Sequence, residues 1–141
     1  MVKNAKSDNP IYKARLVMQG HRDPLKGKMV TEAPTLRTFS TRLIACLASS
    51  YSWKIFSRDV TSAFLQSDKI LRDIYLTHPA ETIEFLGSSH ESITKLCLPQ
   101  YGIIEAPTYW WITFQDYHQS ILKCETVRLD HCLFLPFKNL P

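Results

Sequence analysis

Glycine is scarce in this sequence, with four in 141 residues. Few places remain where a bare backbone can cradle phosphates, and neither Gly-x-x-x-x-Gly-Lys-Ser/Thr nor Gly-x-Gly-x-x-Gly occurs. No Gly-x-Ser-x-Gly elbow is present, so a serine hydrolase has no support. Cys-x-x-Cys is absent, and the densest soft-ligand group, His118, Cys124, His131 and Cys132, fits no zinc spacing. The longest aliphatic run, Leu43 to Ala48, falls far short of the ~20 apolar residues of a membrane span. Met1 is followed by Lys3, Asn4, Lys6 and Asp8, which is no secretory signal, and Asn-x-Ser/Thr acceptors are missing. The four cysteines, Cys46, Cys97, Cys124 and Cys132, are widely spaced and read as buried thiols of an intracellular protein.

What is present is a globular composition, 45% hydrophobic and 21% charged. A chain of this length is about one domain and is expected to bury roughly 68% of its unfolded surface. The net charge of +4 hides an asymmetry. Residues 1–42 hold nine Lys/Arg against three Asp/Glu, a net of +6, and the remainder nets −2. The first third therefore suits an anionic partner, or is a solvated basic arm.

Patterning gives an α+β order. Residues 1–10 read as a loose leader ending in Asn9-Pro10. From Ile11 the pattern alternates, which puts Lys13 and Arg15 on one face of a strand. Gly20 to Lys28 is a basic loop. A helix starts near Thr38 or Ser40 with the stripe Leu43, Ile44, Leu47, Ala48 and Tyr51. Trp53 to Val60 reads as a strand, and so do Ile74–Leu76, Ile93–Leu98 and Cys132–Phe137. Ala80 to Leu86 is a short helix stopped by Gly87, and a Pro107-initiated helix runs to about Lys123 with the stripe Trp110, Phe114, Tyr117 and Ile121. The strand ending at Asp59 is expected at the centre, flanked by the strands near 93–98 and 132–137, with helices 40–51 and 107–123 on one face.

Asp59 stands out, because a carboxylate ending a half-buried strand is costly to desolvate unless it is paired or metal-bound. Spacing alone leaves open a salt bridge with Arg58 or another cation, a cap on the next turn, or a metal ligand.

Six pieces in order resemble the reverse transcriptase of copia-type (Ty1/copia) long-terminal-repeat retrotransposons. They are Tyr12-Lys13-Ala14-Arg15-Leu16-Val17-Met18-Gln19-Gly20; Arg42-Leu43-Ile44 with Leu47-Ala48; and Arg58-Asp59-Val60-Thr61-Ser62-Ala63-Phe64-Leu65-Gln66-Ser67. Ile74-Tyr75-Leu76 with Pro79 follows, then Leu98-Pro99-Gln100-Tyr101-Gly102-Ile103 with Ala106-Pro107 and Trp110, and last Asp130-His131-Cys132-Leu133-Phe134. The resemblance covers Ile11 to Phe137 and implies the fingers and partial palm of a right-hand polymerase over 11–137, with 138–141 as a truncated end. It implies that Asp59 and the backbone carbonyl of Val60 bind Mg²⁺, two ions serving the intact enzyme. Phe64 would be the aromatic floor that rejects a 2′-hydroxyl. Lys13 and Arg15 would meet the triphosphate or template backbone, and Tyr101-Gly102 would form the turn beside the nucleotide pocket.

The implied partners are an RNA or DNA template-primer and deoxynucleotides, in cytoplasmic virus-like particles. The chain departs from the family pattern where it matters for catalysis. No Asp-Asp pair exists in it, so the Tyr-x-Asp-Asp hairpin is lacking, as are the rest of the palm, the thumb and the ribonuclease H portion. A fragment inactive by itself is expected, and the alternative is a non-catalytic nucleic-acid-binding remnant.

Overall fold

The computed structural model describes residues 2–3, 11–12, 15–87 and 92–136. Six strands and three α-helices fall within them: β1 Val2–Lys3, β2 Ile11–Tyr12, α1 Thr38–Ser50, β3 Ile74–Thr77, α2 Ala80–Leu86, β4 Ile93–Leu96, α3 Ala106–Asp116, β5 Cys124–Val127 and β6 Asp130–Pro136. The mixed α+β expectation holds. The strands form three separate two-stranded antiparallel ladders among the described residues: β1 with β2, β3 with β4, and β5 with β6. Ile74 faces Leu96 and Thr77 faces Ile93, while Cys124 faces Pro136 with an irregularity between Thr126 and Val127. Val2–Lys3, placed by the sequence in a loose leader, is the partner of Ile11–Tyr12.

The expected central strand does not form. Trp53 closes the end of α1 by donating its N–H to the Ala48 carbonyl (2.8 Å), after a left-handed residue at Ser52 (φ 55°). Residues 54–60 then run without a ladder partner and are exposed, Phe56 to 77%. Alternation marks a chain suited to a sheet but does not supply the neighbour, and here the two expected flanking strands pair elsewhere, β4 with β3 and β6 with β5. Residues 15–19 likewise carry no strand, although their edge is used, as described below.

α1 begins where Thr38 and Ser40 pointed, but its stripe is only partly covered. Ala48 is buried, while Leu43, Leu47 and Tyr51 remain exposed. α3 opens with Pro107 in its first turn and ends earlier than expected, at Asp116, followed by a single π turn over Tyr117–Ile121. At this turn Leu122 N–H reaches the Tyr117 carbonyl, and His118 Nδ1 meets the Phe114 carbonyl at 2.8 Å. The His118 ring lies 4.1 Å from Phe114 and 4.6 Å from Phe134, and Trp111 also faces Phe134, so an aromatic cluster joins α3 to β6.

The core is small. Ala48, Ile83, Ile103, Ala106 and Pro99 are buried. The accessible surface is 11870 Å², against roughly 7,500 Å² for a compact chain of this size, so about half of the unfolded surface is buried rather than the expected 68%. The cysteines follow suit. Cys46 and Cys97 are exposed and Cys124 and Cys132 half-buried, all as free thiols, because none of them falls in that small core. No helix among the described residues is long and apolar enough to cross a membrane.

Candidate nucleotide site

The extended segment 15–19 meets the turn after Pro99. Met18 N–H donates to the Tyr101 carbonyl at 2.7 Å and Gly20 N–H to the Gly102 carbonyl at 3.1 Å. Gly102 has φ +90°, and a Cβ there would lie 2.1 Å from the Met18 carbonyl oxygen. Only glycine permits both the turn and the approach. Gly20 is bound by the same contact, since its Cβ would sit 2.0 Å from the Gly102 oxygen.

This pairing sets the side chains. The Arg15 guanidinium carbon stands 4.5 Å from the Tyr101 ring centroid, and the Phe64 ring meets Tyr101 edge-on with centroids 5.0 Å apart. Phe64 is carried by a 3-10 turn, Ala63–Gln66, that packs on α3 and is entered through Ser62 in the left-handed region (φ 53°). Four residues singled out in the sequence, Arg15, Phe64, Tyr101 and Gly102, are thus brought together across almost ninety positions of chain. Arg15 is exposed and forms no ion pair with a described carboxylate. Lys13 lies outside the described residues.

Asp59 and Val60 precede this turn on the unpaired segment. Asp59 is exposed and forms neither a hydrogen bond nor an ion pair among the described residues, Arg58 included. No group of three or more His, Cys, Asp or Glu side chains able to hold a metal comes together among the described residues. One exposed carboxylate with a neighbouring carbonyl does not fit two Mg²⁺ ions, which need several oxygen ligands in near-octahedral order.

A cluster not anticipated from the sequence locks the site's edge. Arg72 forms ion pairs with Asp23, at the end of the 15–20 segment, and with Glu105, at the start of α3. Its Nη2 reaches Glu105 Oε2 at 3.0 Å, and Glu105 is only 6% exposed. The Glu105 carboxylate, then the Asp23 carboxylate, hold the guanidinium pKa above its ordinary value, and Arg72 in turn holds Asp23 below the usual carboxylate range. Three isolated charges far apart in sequence carry no local pattern, so only the fold reveals them. Asp130 is a second such residue: it is buried, and it accepts hydrogen bonds from Arg37 N–H (3.0 Å) and Ser40 Oγ at the start of α1.

The family described as "Reverse transcriptase (RNA-dependent DNA polymerase)" matches residues 1–138. The "Retrovirus-related Pol polyprotein from transposon TNT 1-94" of Nicotiana tabacum is 34% identical over 125 residues, 87% of this chain and 9% of that protein. The "Retrovirus-related Pol polyprotein from transposon RE1" of Arabidopsis thaliana is 32% identical over 111 residues, 78% of this chain and 7% of that protein. The chain therefore spans less than a tenth of the curated relatives it matches. No solved structure matches it. With a family match over nearly all its length and relatives of the copia type, the chain belongs to the reverse transcriptase family of retrotransposon Pol polyproteins.

Proposed function

We propose that these residues are the nucleotide-receiving fingers and part of the palm of a copia-type RNA-directed DNA polymerase. The observation that carries this reading is the convergence of Arg15, Tyr101 and Phe64 beside the Gly102 turn. A guanidinium that forms no ion pair among the described residues suits the triphosphate of an incoming nucleotide. A ring at Phe64 suits the exclusion of a 2′-hydroxyl, and the Gly102 turn lets substrate approach backbone. Lys13 adds a second cation two residues from Arg15.

Reverse transcriptases use divalent metal ions. Asp59 and the Val60 carbonyl are this chain's contribution to a Mg²⁺ site whose remaining carboxylates it does not hold. The partners are a template-primer and deoxynucleotides, within the cytoplasmic particles of such elements. The 141 residues alone do not polymerise, because two-metal transfer needs carboxylates that hold two ions about 3.5–4 Å apart.

Primer extension on an RNA template in Mg²⁺ or Mn²⁺ tests this. The chain gives nothing above a blank. Appending the downstream polymerase segment of an intact relative restores extension, and Asp59→Asn abolishes it again. Extension by the chain itself, or an Asp59→Asn chimaera that works, overturns the assignment of Asp59.

A second reading has its own observation. Arg15, Arg22, Lys26 and Lys28 are all exposed. Residues 1–42 then form a phosphate-contacting face without catalysis, and affinity for duplex falls steeply with salt as counterions are released. Lys13→Ala/Arg15→Ala lowers that affinity and flattens the salt slope. Equal binding in both proteins at low and high salt removes this reading.

A further inference from the structure

We propose that Tyr101 is a positioning residue that couples the cation Arg15 to the ring of Phe64, so that triphosphate charge and sugar identity are read together. This rests on the polymerase-pocket reading above and goes beyond it by assigning the link between its two halves.

Two features of Tyr101 fit such a link. Its backbone is fixed to the fingers segment, since its carbonyl accepts Met18 N–H at 2.7 Å and the next residue cannot move off Met18 without breaking a contact that admits no Cβ. Its ring then touches both partners, Arg15 at 4.5 Å and Phe64 at 5.0 Å. A cation over a ring and an edge-on ring pair are both electrostatic contacts with a preferred geometry, so moving one partner changes the position that suits the other. A triphosphate that draws the Arg15 guanidinium toward itself therefore shifts the seat of the Tyr101 ring, and with it the support behind Phe64. An anion absent from Arg15 leaves that support in its resting place.

The phenol oxygen of Tyr101 has no hydrogen-bond partner among the described residues, whereas that of Tyr109 binds Leu71 N–H. The contacts of Tyr101 belong to its ring. That separates this role from direct hydrogen bonding to the nucleotide, because the ring survives in phenylalanine and the hydroxyl does not.

The test is calorimetric titration of the 141-residue chain with dUTP, UTP and inorganic tripolyphosphate in excess Mg²⁺. The native chain binds dUTP more tightly than UTP. Tyr101→Phe keeps that preference. Tyr101→Leu brings the two triphosphates to within about twofold and weakens tripolyphosphate roughly threefold, the loss expected of one exposed cation–ring contact. Circular dichroism confirms that each variant is folded.

If neither triphosphate binds the native chain, or Phe64→Ala leaves the preference intact, the pocket reading fails and this inference with it. If Phe64→Ala erases the preference while Tyr101→Leu preserves it, the pocket stands and the coupling is overturned. Damage by Tyr101→Phe equal to that by Tyr101→Leu also overturns it, since the hydroxyl then acts directly.

Discussion

Ser40 and Asp130, ninety residues apart, meet at the first turn of α1, where the Ser40 hydroxyl donates to a carboxylate oxygen that also takes Arg37 N–H. The other Asp130 oxygen accepts Cys132 N–H at 3.1 Å within its own strand. One side chain thus caps a helix and orders the start of β6. No side chain of α1 caps its own N-terminus, and Asp130 satisfies one backbone N–H of that end, that of Arg37. Asp130→Ala is expected to lower the thermal unfolding midpoint by roughly 5 °C, the scale of a lost cap in a chain this size. Asp130→Asn, which keeps an acceptor, loses less. An unchanged midpoint in the alanine variant would mean that water replaces the carboxylate without penalty.

Two glycines in the left-handed region provide a controlled comparison. Gly87 ends α2 with φ +61° and open space around it, while Gly102 has φ +90° and the Met18 backbone against it. Gly87→Ala is expected to cost about 1 kcal/mol of backbone strain. At Gly102 the same change adds a clash with backbone that cannot rotate away, so the loss is expected to exceed about 2 kcal/mol. Urea unfolding of the two variants measures the difference, and equal losses would show that residues 18 and 102 separate easily.

Arg72 holds two carboxylates that are largely out of water. Removing the guanidinium strands both, and Arg72→Ala is expected to cost about 3 kcal/mol. Lysine keeps the charge but cannot fork to two partners, so Arg72→Lys recovers only part of it. Chemical denaturation reads both values. A fully stable alanine variant would make the cluster incidental.

Acid reports on the same contacts. Arg72 lowers the Asp23 pKa, and the Ser40 hydroxyl, with Arg37 and Cys132 N–H, lowers that of Asp130. Both groups are depressed in the folded chain, so their contribution is complete above the unfolded carboxylate pKa of about 3.9 and is lost as pH falls through the folded values. The unfolding midpoint is expected to stay level on descending from pH 7 to about 5 and to drop below about 4. In Asp130→Asn the drop is smaller. A midpoint that rises on acidification would reverse the sign and remove these two carboxylates from the account.

Much of the local structure was legible in the sequence. Gly87 stops α2, Pro107 opens α3 and the 74–77 and 93–96 strands lie where their patterns put them, because capping and period are written in adjacent residues. Pairing was not legible in the same way. Trp53–Val60 alternates like a strand yet finds no neighbour, and β5, Cys124–Val127, was assigned to no element because four residues carry too short a pattern until β6 is there to pair with them. Within the site, Arg15, Phe64, Tyr101 and Gly102 were named from motif resemblance and are brought together in space. Arg72 and Glu105 were not named, since an ion pair between distant segments leaves no trace in spacing.

The Asp130 cap also carries a consequence for time. α1 leaves a ribosome ninety residues ahead of the carboxylate that completes its first turn. At 5–20 residues per second that interval is on the order of 5–20 s, enormously longer than the microseconds in which a helix or hairpin forms. Throughout it the helix start must fray or borrow water. Once residues 124–136 emerge, their hairpin can close within roughly 10 µs and deliver Asp130 already aligned by Cys132. The order of synthesis therefore sets the order of consolidation, with the first long helix waiting for the last described strand.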